Sequence, residues 1–167
     1  MSVTLREAEP GDAEAIAAIH DEAVMAGNAT LRSEPRPVSE VEAIISNDHP
    51  FVVADEGGTV LGWASIGPYE ESNPYYAGVG EVAVYVGSAA RGRGVGRVLL
   101  EGAAVAARDA GKFKLVAKVF TTNEASLRLF ERMGYERVGT HFRHGRLRGE
   151  WKDVVVLEKL LEPASQP

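Results

Sequence analysis

Apolar residues change their spacing repeatedly along this 167-residue chain, and each change predicts a change of element. Val3 to Glu7 alternates as a short strand, after which Pro10-Gly11 breaks the run and Asp12 offers a helix N-cap. Ala13, Ile16, Ala17 and His20 recur at helical spacing through Val24, and Gly27-Asn28 stops the helix. Asn28 to Pro37 holds two prolines and reads as a loop. Ser39 followed by Glu42 predicts a capping box for a second helix through Ile45.

Phe51 to Asp55 and Thr59 to Ile66 are extended runs flanking Glu56-Gly57-Gly58, the pattern of a hairpin. Pro68 to Ala77 is a polar and aromatic loop. Gly80 to Val86 then carries the clearest strand signal, with Val82, Val84 and Val86 on one face and Glu81, Ala83 and Tyr85 on the other. Beyond an Arg/Gly segment, Val95, Val98, Leu99, Ala103 and Ala106 form a helical stripe closed by Gly111. Lys114 to Phe120 is a strand, and Asn123 opens a short helix whose Ala125, Leu129, Phe130 and Met133 face inward. Arg137 to His141, a turn at His144 to Gly149 and a strand from Trp151 to Leu160 complete the pattern.

This order predicts one α/β domain over residues 1–161 and a flexible tail over 162–167. Strands that start as a meander and then alternate with helices imply a mixed sheet with helices on both faces. Its parallel pairing falls where Gly80 to Val86 meets Lys114 to Phe120, and open sheets of this kind bind ligands where pairing breaks.

Charge narrows the choice of ligand. Lys and Arg number 18 against 24 Asp and Glu, a net of −6 that argues against a general nucleic-acid binder. The chain has no Cys, which removes disulfides, thiolate metal sites and a cysteine nucleophile. His20, His49, His141 and His144 lack metal-ligand spacing, so no metal is expected. No apolar run approaches the roughly 20 residues of a membrane span, and the first residues carry no signal-peptide pattern. A cytoplasmic location is the expectation.

Against this acidic background, Arg91-Gly92-Arg93-Gly94-Val95-Gly96-Arg97 joins a strand to a helix. Alternating glycines clear one side of the turn of Cβ atoms, so that consecutive N–H groups can converge on an anion. The helix N-terminus adds partial positive charge, and the arginines add full charges suited to phosphate oxygens. A nucleoside-triphosphate loop would end in Gly-Lys-Ser/Thr, and a dinucleotide fold would space its glycines G-x-G-x-x-G; the spacing here is G-x-G-x-G. The turn reads as a pyrophosphate cradle.

Val84-Tyr-Val-Gly-Ser-Ala-Ala-Arg-Gly-Arg-Gly-Val-Gly resembles the acetyl-CoA motif of the GCN5-related N-acetyltransferases (GNAT), in which R/Q-x-x-G-x-G/A follows a central strand. Asn123-Glu-Ala-Ser-Leu-Arg-Leu-Phe-Glu-Arg-Met-Gly-Tyr resembles that family's downstream N-x-x-x-x-x-L-x-x-x-x-G-F segment. Asn28-Ala-Thr-Leu-Arg-Ser-Glu-Pro, Glu81-Val-Ala-Val-Tyr-Val, Thr122-Asn-Glu-Ala-Ser and Gly149-Glu-Trp-Lys-Asp-Val resemble its phosphinothricin and methionine sulfoximine acetyltransferase group, also described as L-amino acid N-acyltransferases.

The resemblance implies a GNAT fold, acetyl-CoA as co-substrate, an amino-acid-like amine as acceptor and a homodimer. It assigns the general base to Glu81, and the polar strand face agrees, since an amine must shed a proton before it attacks a thioester. It places the coenzyme against Val84, Tyr85 and Val86, the turn from Arg91 to Arg97, Asn123 and Arg132. Helix capping accounts equally for Asn123. Where relatives carry Tyr or His as proton donor to the leaving thiolate, this chain has Phe130, so Tyr135 or water would have to substitute. A thiol leaves readily as its anion, so an acid should help without being essential.

Thr30, Tyr69, Tyr75, Tyr76 and Trp151 are the expected acceptor pocket, on loops that converge over Glu81. The group's loop arginine is replaced here by Glu70-Glu71, which leaves Arg143, Arg146 and Arg148 as possible holders of a substrate carboxylate. Rival readings are a non-catalytic acyl-CoA sensor and an enzyme acting on a protein or polyamine amine.

Overall fold

The computed structural model describes residues 2–162, so all of the expected tail except Glu162 lies outside the described residues. Seven strands form one sheet in the order β1-β2-β3-β4-β5-β7-β6. They are β1 (Thr4–Glu7), β2 (Phe51–Glu56), β3 (Thr59–Pro68), β4 (Val79–Val86), β5 (Lys114–Phe120), β6 (Glu136–Leu147) and β7 (Glu150–Leu160). Four helices cover the sheet: α1 (Ala13–Ala26), α2 (Val38–Ile45), α3 (Val95–Asp109) and α4 (Glu124–Arg132). This is the mixed α/β sheet that the pattern predicts.

Alternation along each strand divides the core into two layers. Val52 and Ala54 of β2 join Ile66, Val82, Leu115 and Leu157 beneath α3 and α4. Phe51 and Val53 point the opposite way, to Trp63 and the Ile16, Ala17 and Val41 of α1 and α2. A strand covered on both faces needs apolar residues at successive positions, which is why Phe51 to Ala54 reads as an unbroken run. The same cover corrects the reading of β4: Ala83 and Tyr85, on the Glu81 face, pack against the second layer.

The start of α1 is anchored by a charge cluster. Arg6 of β1 donates to both oxygens of Asp12, at 2.8 and 2.9 Å, and to Asp55 of β2 at 2.8 Å. These bonds hold both carboxyls below the usual range. Asp12 therefore occupies the N-cap position without capping the helix by its side chain, its carboxylate being taken by Arg6 and the Glu9 amide.

Three local expectations are corrected. Ser39 does not cap α2; Pro37, extended at ψ 143°, holds that position, and its carbonyl accepts from Glu40 and Val41. A proline ring that fixes φ sets the helix going two residues earlier than the Ser39 signal. In α4 Leu127 is buried and Ala125 is exposed, because the buried stripe runs Leu127 to Phe130. The strand β6 continues past His141 to Leu147, and the turn is only Arg148-Gly149. A bulge between His141 and Gly145, with Arg143 at φ 49° and its N–H bonded to Asp153 at 2.7 Å, accounts for the turn-like sequence there.

Candidate active site

Parallel pairing between β4 and β5 covers only Val79 to Glu81, opposite Lys114 to Val116. Beyond Glu81 the two strands part, while β3 stays paired to β4 through Val86. The β5-facing main chain of Val82 to Val86 is thus left without a strand partner. A cavity of about 1160 Å³ opens here, walled by Val84, Tyr85 and Val86, by the start of α3 and by α4.

The mouth of the cavity is the glycine turn. Gly92 and Gly94 have φ of 75° and 78°, and a Cβ at either would meet nothing within 4 Å. Conformation, not space, requires glycine there, since the left-handed region costs other residues about 1–2 kcal/mol. Gly94 is the N-cap of α3 and provides no side-chain acceptor, so the first-turn amides rely on something else. Val95, Gly96 and Arg97 of that turn all line the cavity. Gly96 serves packing instead: a Cβ there would meet Leu129 Cδ2 at 2.8 Å, so its absence lets α4 close against α3.

The arginines divide their work. Arg91, Arg97 and Arg132 line the cavity. Arg97 also pairs with Glu101 at 2.9 Å, whereas Arg93 turns away to Glu56 at 2.7 Å and does not join the cavity wall. Asn123 caps α4, its Oδ1 accepting from the Ser126 amide at 3.3 Å, and it also lines the cavity. Main-chain donors without acceptors and uncovered guanidinium groups fit a polyanion such as the diphosphate of coenzyme A.

Tyr135 is not brought to the cavity wall. It is 3% exposed, packed edge-on against Phe130 at 4.9 Å, and its hydroxyl has no hydrogen-bond partner among the described residues. Burial pushes its pKa up, which makes it a poor proton donor. Phe130 is likewise core.

On the other face of the sheet, Glu81 accepts from Lys118 Nζ of β5 at 3.1 Å, both side chains being more than a third exposed. The same ammonium lies 6.0 Å from the centroid of Tyr69, which meets Tyr76 edge-on at 5.7 Å. Further along β4, Tyr85 stacks with Trp63 at 4.7 Å and meets His20 at 5.1 Å. Burial raises the pKa of Tyr85, partly offset by Thr30 facing its hydroxyl. Burial, with Arg36 and Arg32 nearby, lowers that of His20. Lys118 thus links Glu81 to the Tyr69–Tyr76 pair, and Thr30 faces Tyr85 further along β4.

Two expected pocket residues stand apart. Tyr75 is 90% exposed, and Trp151 lies on the β6–β7 hairpin under the Arg146 guanidinium at 4.9 Å. Arg148 donates to the Val24 and Met25 carbonyls at the end of α1, so it is not available to a substrate carboxylate. Lys118, at the Glu81 carboxylate, was not among the expected site residues. Lys118 left one signal, a second lysine in phase with Lys114 on an otherwise apolar strand, but its partner is remote in sequence.

Among the described residues no three His, Asp or Glu side chains gather as metal ligands, and no helix is long and apolar enough to cross a membrane.

Residues 16–135 match the acetyltransferase (GNAT) family. An L-methionine sulfoximine/L-methionine sulfone acetyltransferase of Pseudomonas paraeruginosa is 34% identical, over 98% of this chain and 97% of that protein. An L-amino acid N-acyltransferase of Escherichia coli is 32% identical, over 99% and 98%. The fold superposes with a TM-score of 0.89 on a GNAT superfamily phosphinothricin acetyltransferase from Sinorhizobium meliloti in complex with acetyl-CoA, at 28% identity, covering 99% of this chain and 95% of that one.

Proposed function

The chain belongs to the acetyltransferase (GNAT) family of acetyl-CoA-dependent enzymes, and on that premise we propose that it acetylates the primary amine of a small, amino-acid-like acceptor of the phosphinothricin and methionine sulfoximine type. The observation that carries this reading is the end of β4–β5 pairing at Glu81, with the cavity beyond it and a half-exposed carboxylate at the last paired position. Acetyl-CoA, when bound, supplies an acyl group already activated as a thioester. Arg91, Gly92, Gly94 and the first turn of α3 hold its diphosphate, with Arg132 and Asn123 beside it. The unpaired main chain of Val84 to Val86 receives the pantetheine amides as an added strand and offers an N–H to the oxygen that gains charge.

Glu81 takes the proton that an acceptor ammonium must lose before its lone pair is free. Tyr69, Tyr76 and Thr30 flank the acceptor. No residue of the chain is required as an acyl carrier, and the leaving thiolate is reprotonated by water, because Tyr135 is buried away from the cavity. The catalytic domain spans residues 1–161 and works as a cytoplasmic homodimer; β6, an edge strand with Val138 and Phe142 outward, offers a second copy its surface.

Thiol release from acetyl-CoA, measured against free amino acids, phosphinothricin, methionine sulfoximine, polyamines and peptides, tests the reading. Turnover is expected with the amino-acid-like amines. Turnover confined to polyamines or peptides overturns it.

A further inference from the structure

We propose that Lys118 is the specificity-determining residue that receives the acceptor's carboxylate, so that Glu81 and Lys118 together read the two charges of a zwitterion. The proposal rests on the acceptor class given above and adds the residue that would select it.

A free α-amino acid presents its ammonium nitrogen and carboxylate carbon about 2.5 Å apart, a spacing set by covalent geometry. The site presents the complementary pair, an acceptor oxygen on Glu81 and a donor nitrogen on Lys118, 3.1 Å apart. The two residues come from neighbouring strands at the point where pairing stops, on the face that also carries Ala83 and Tyr85. Their side chains remain 35% and 40% exposed, so a solute can reach both without unpacking the core. The ammonium of Lys118 also sits above Tyr69, which holds it on the acceptor side.

Among the other cations near the acceptor loops, Arg143 comes from the β6 bulge, where its N–H is tied to Asp153, and four more are already engaged. Arg148 is bonded to the end of α1, Arg146 rests on Trp151 and donates to the Gly149 carbonyl, and Arg32 and Arg36 both pair with Glu40. The role of Lys118 also removes a conflict in the mechanism. Left alone with Glu81, its ammonium competes with the acceptor ammonium for one carboxylate. When the acceptor brings its own carboxylate, Lys118 can turn to that group and leave Glu81 to the amine, so each charge faces an opposite one. An amine without a carboxylate gives Lys118 no reason to move.

The test compares each α-amino acid that the wild type acetylates with its carboxamide, which keeps the same amine and loses the negative charge. For wild type, kcat/KM is expected to favour the acid. In Lys118→Met that preference falls about ten- to a hundredfold, the usual weight of a charged hydrogen bond, with a rise in KM for the acid and an equal or higher kcat/KM for the amide, whose ammonium no longer competes with Lys118 for Glu81. Lys118→Arg restores most of the preference. An equal loss on acid and amide makes Lys118 a positioning residue for Glu81 and overturns the proposal, as does an unchanged preference in Lys118→Met. A wild type inactive on every acid and amide but active on another amine overturns the acceptor reading, and the proposal with it. Acetyl-CoA affinity, measured by calorimetry, serves as the control for folding and should be the same in all variants.

Discussion

The two halves of this cleft are built from different materials. The half proposed for the coenzyme is mostly main chain: amides at the start of α3, the free edge of β4, and glycines that let the chain turn left-handed. The half proposed for the acceptor is side chain: Glu81 from β4, Lys118 from β5, Tyr69 and Tyr76 from the loop between β3 and β4, Thr30 from the loop after α1. A main-chain cradle recognises a feature common to every acyl-CoA and tolerates change in most side chains. A side-chain pocket can be altered one residue at a time, and this is where members of one family can differ in substrate.

The contrast can be broken most severely at Gly94. Gly94→Glu forces a side chain into φ 78° and places a negative charge at the cradle, so acetyl-CoA binding measured by calorimetry should be abolished while far-UV circular dichroism stays native. Retained affinity would move the diphosphate elsewhere. Glu81→Gln attacks the other half: kcat should fall about a hundredfold or more with acetyl-CoA affinity unchanged, and a turnover within a few-fold of wild type would remove Glu81 as base.

A smaller effect is expected at the anchor of α1, whose later turns wall the cavity. Asp12 and Asp55 are held below their unfolded values by Arg6, so between those values the unfolded chain binds more protons. Their contribution is complete above the ordinary carboxylate range and is lost as pH falls through the depressed native values. Arg6→Met should therefore lower Tm by several degrees at pH 7 and flatten its dependence on pH on the acid side, read by thermal melts from pH 7 to 2. The least consequence is expected at Phe130→Tyr. A new hydroxyl in the core beside Tyr135 should change kcat by tenfold or less, about 1.4 kcal/mol, and a larger gain would show that protonation of the thiolate limits the rate.

The same division governs what could be read in advance. The strand from Gly80, the glycine turn, the helix to Gly111 and the strand from Lys114 carry their signals within a few residues of one another, and all four form as expected. Errors arose where a stronger local signal or a neighbour in space overrode the expected one. Pro37 displaced Ser39 as the cap, and the Asp153 carboxylate held a bulge that looked like a turn. Tyr135 sits one residue past the Gly134 that lines the cavity, yet packs against Phe130.

The amino-acid sequence alone determined the alternation of strand and helix, the left-handed glycines ahead of α3 and the family they mark, because each depends on backbone preferences and spacing inside one short segment. Only the tertiary structure decided that Lys118 meets Glu81, that Arg93 leaves the cavity for Glu56 and that Trp151 stands apart from the acceptor side. Those outcomes depend on the pairing of β4 with β5 and on the packing of loops far apart in the chain. Charge attraction acts through space, and no spacing within either segment encodes which distant partner the fold will deliver.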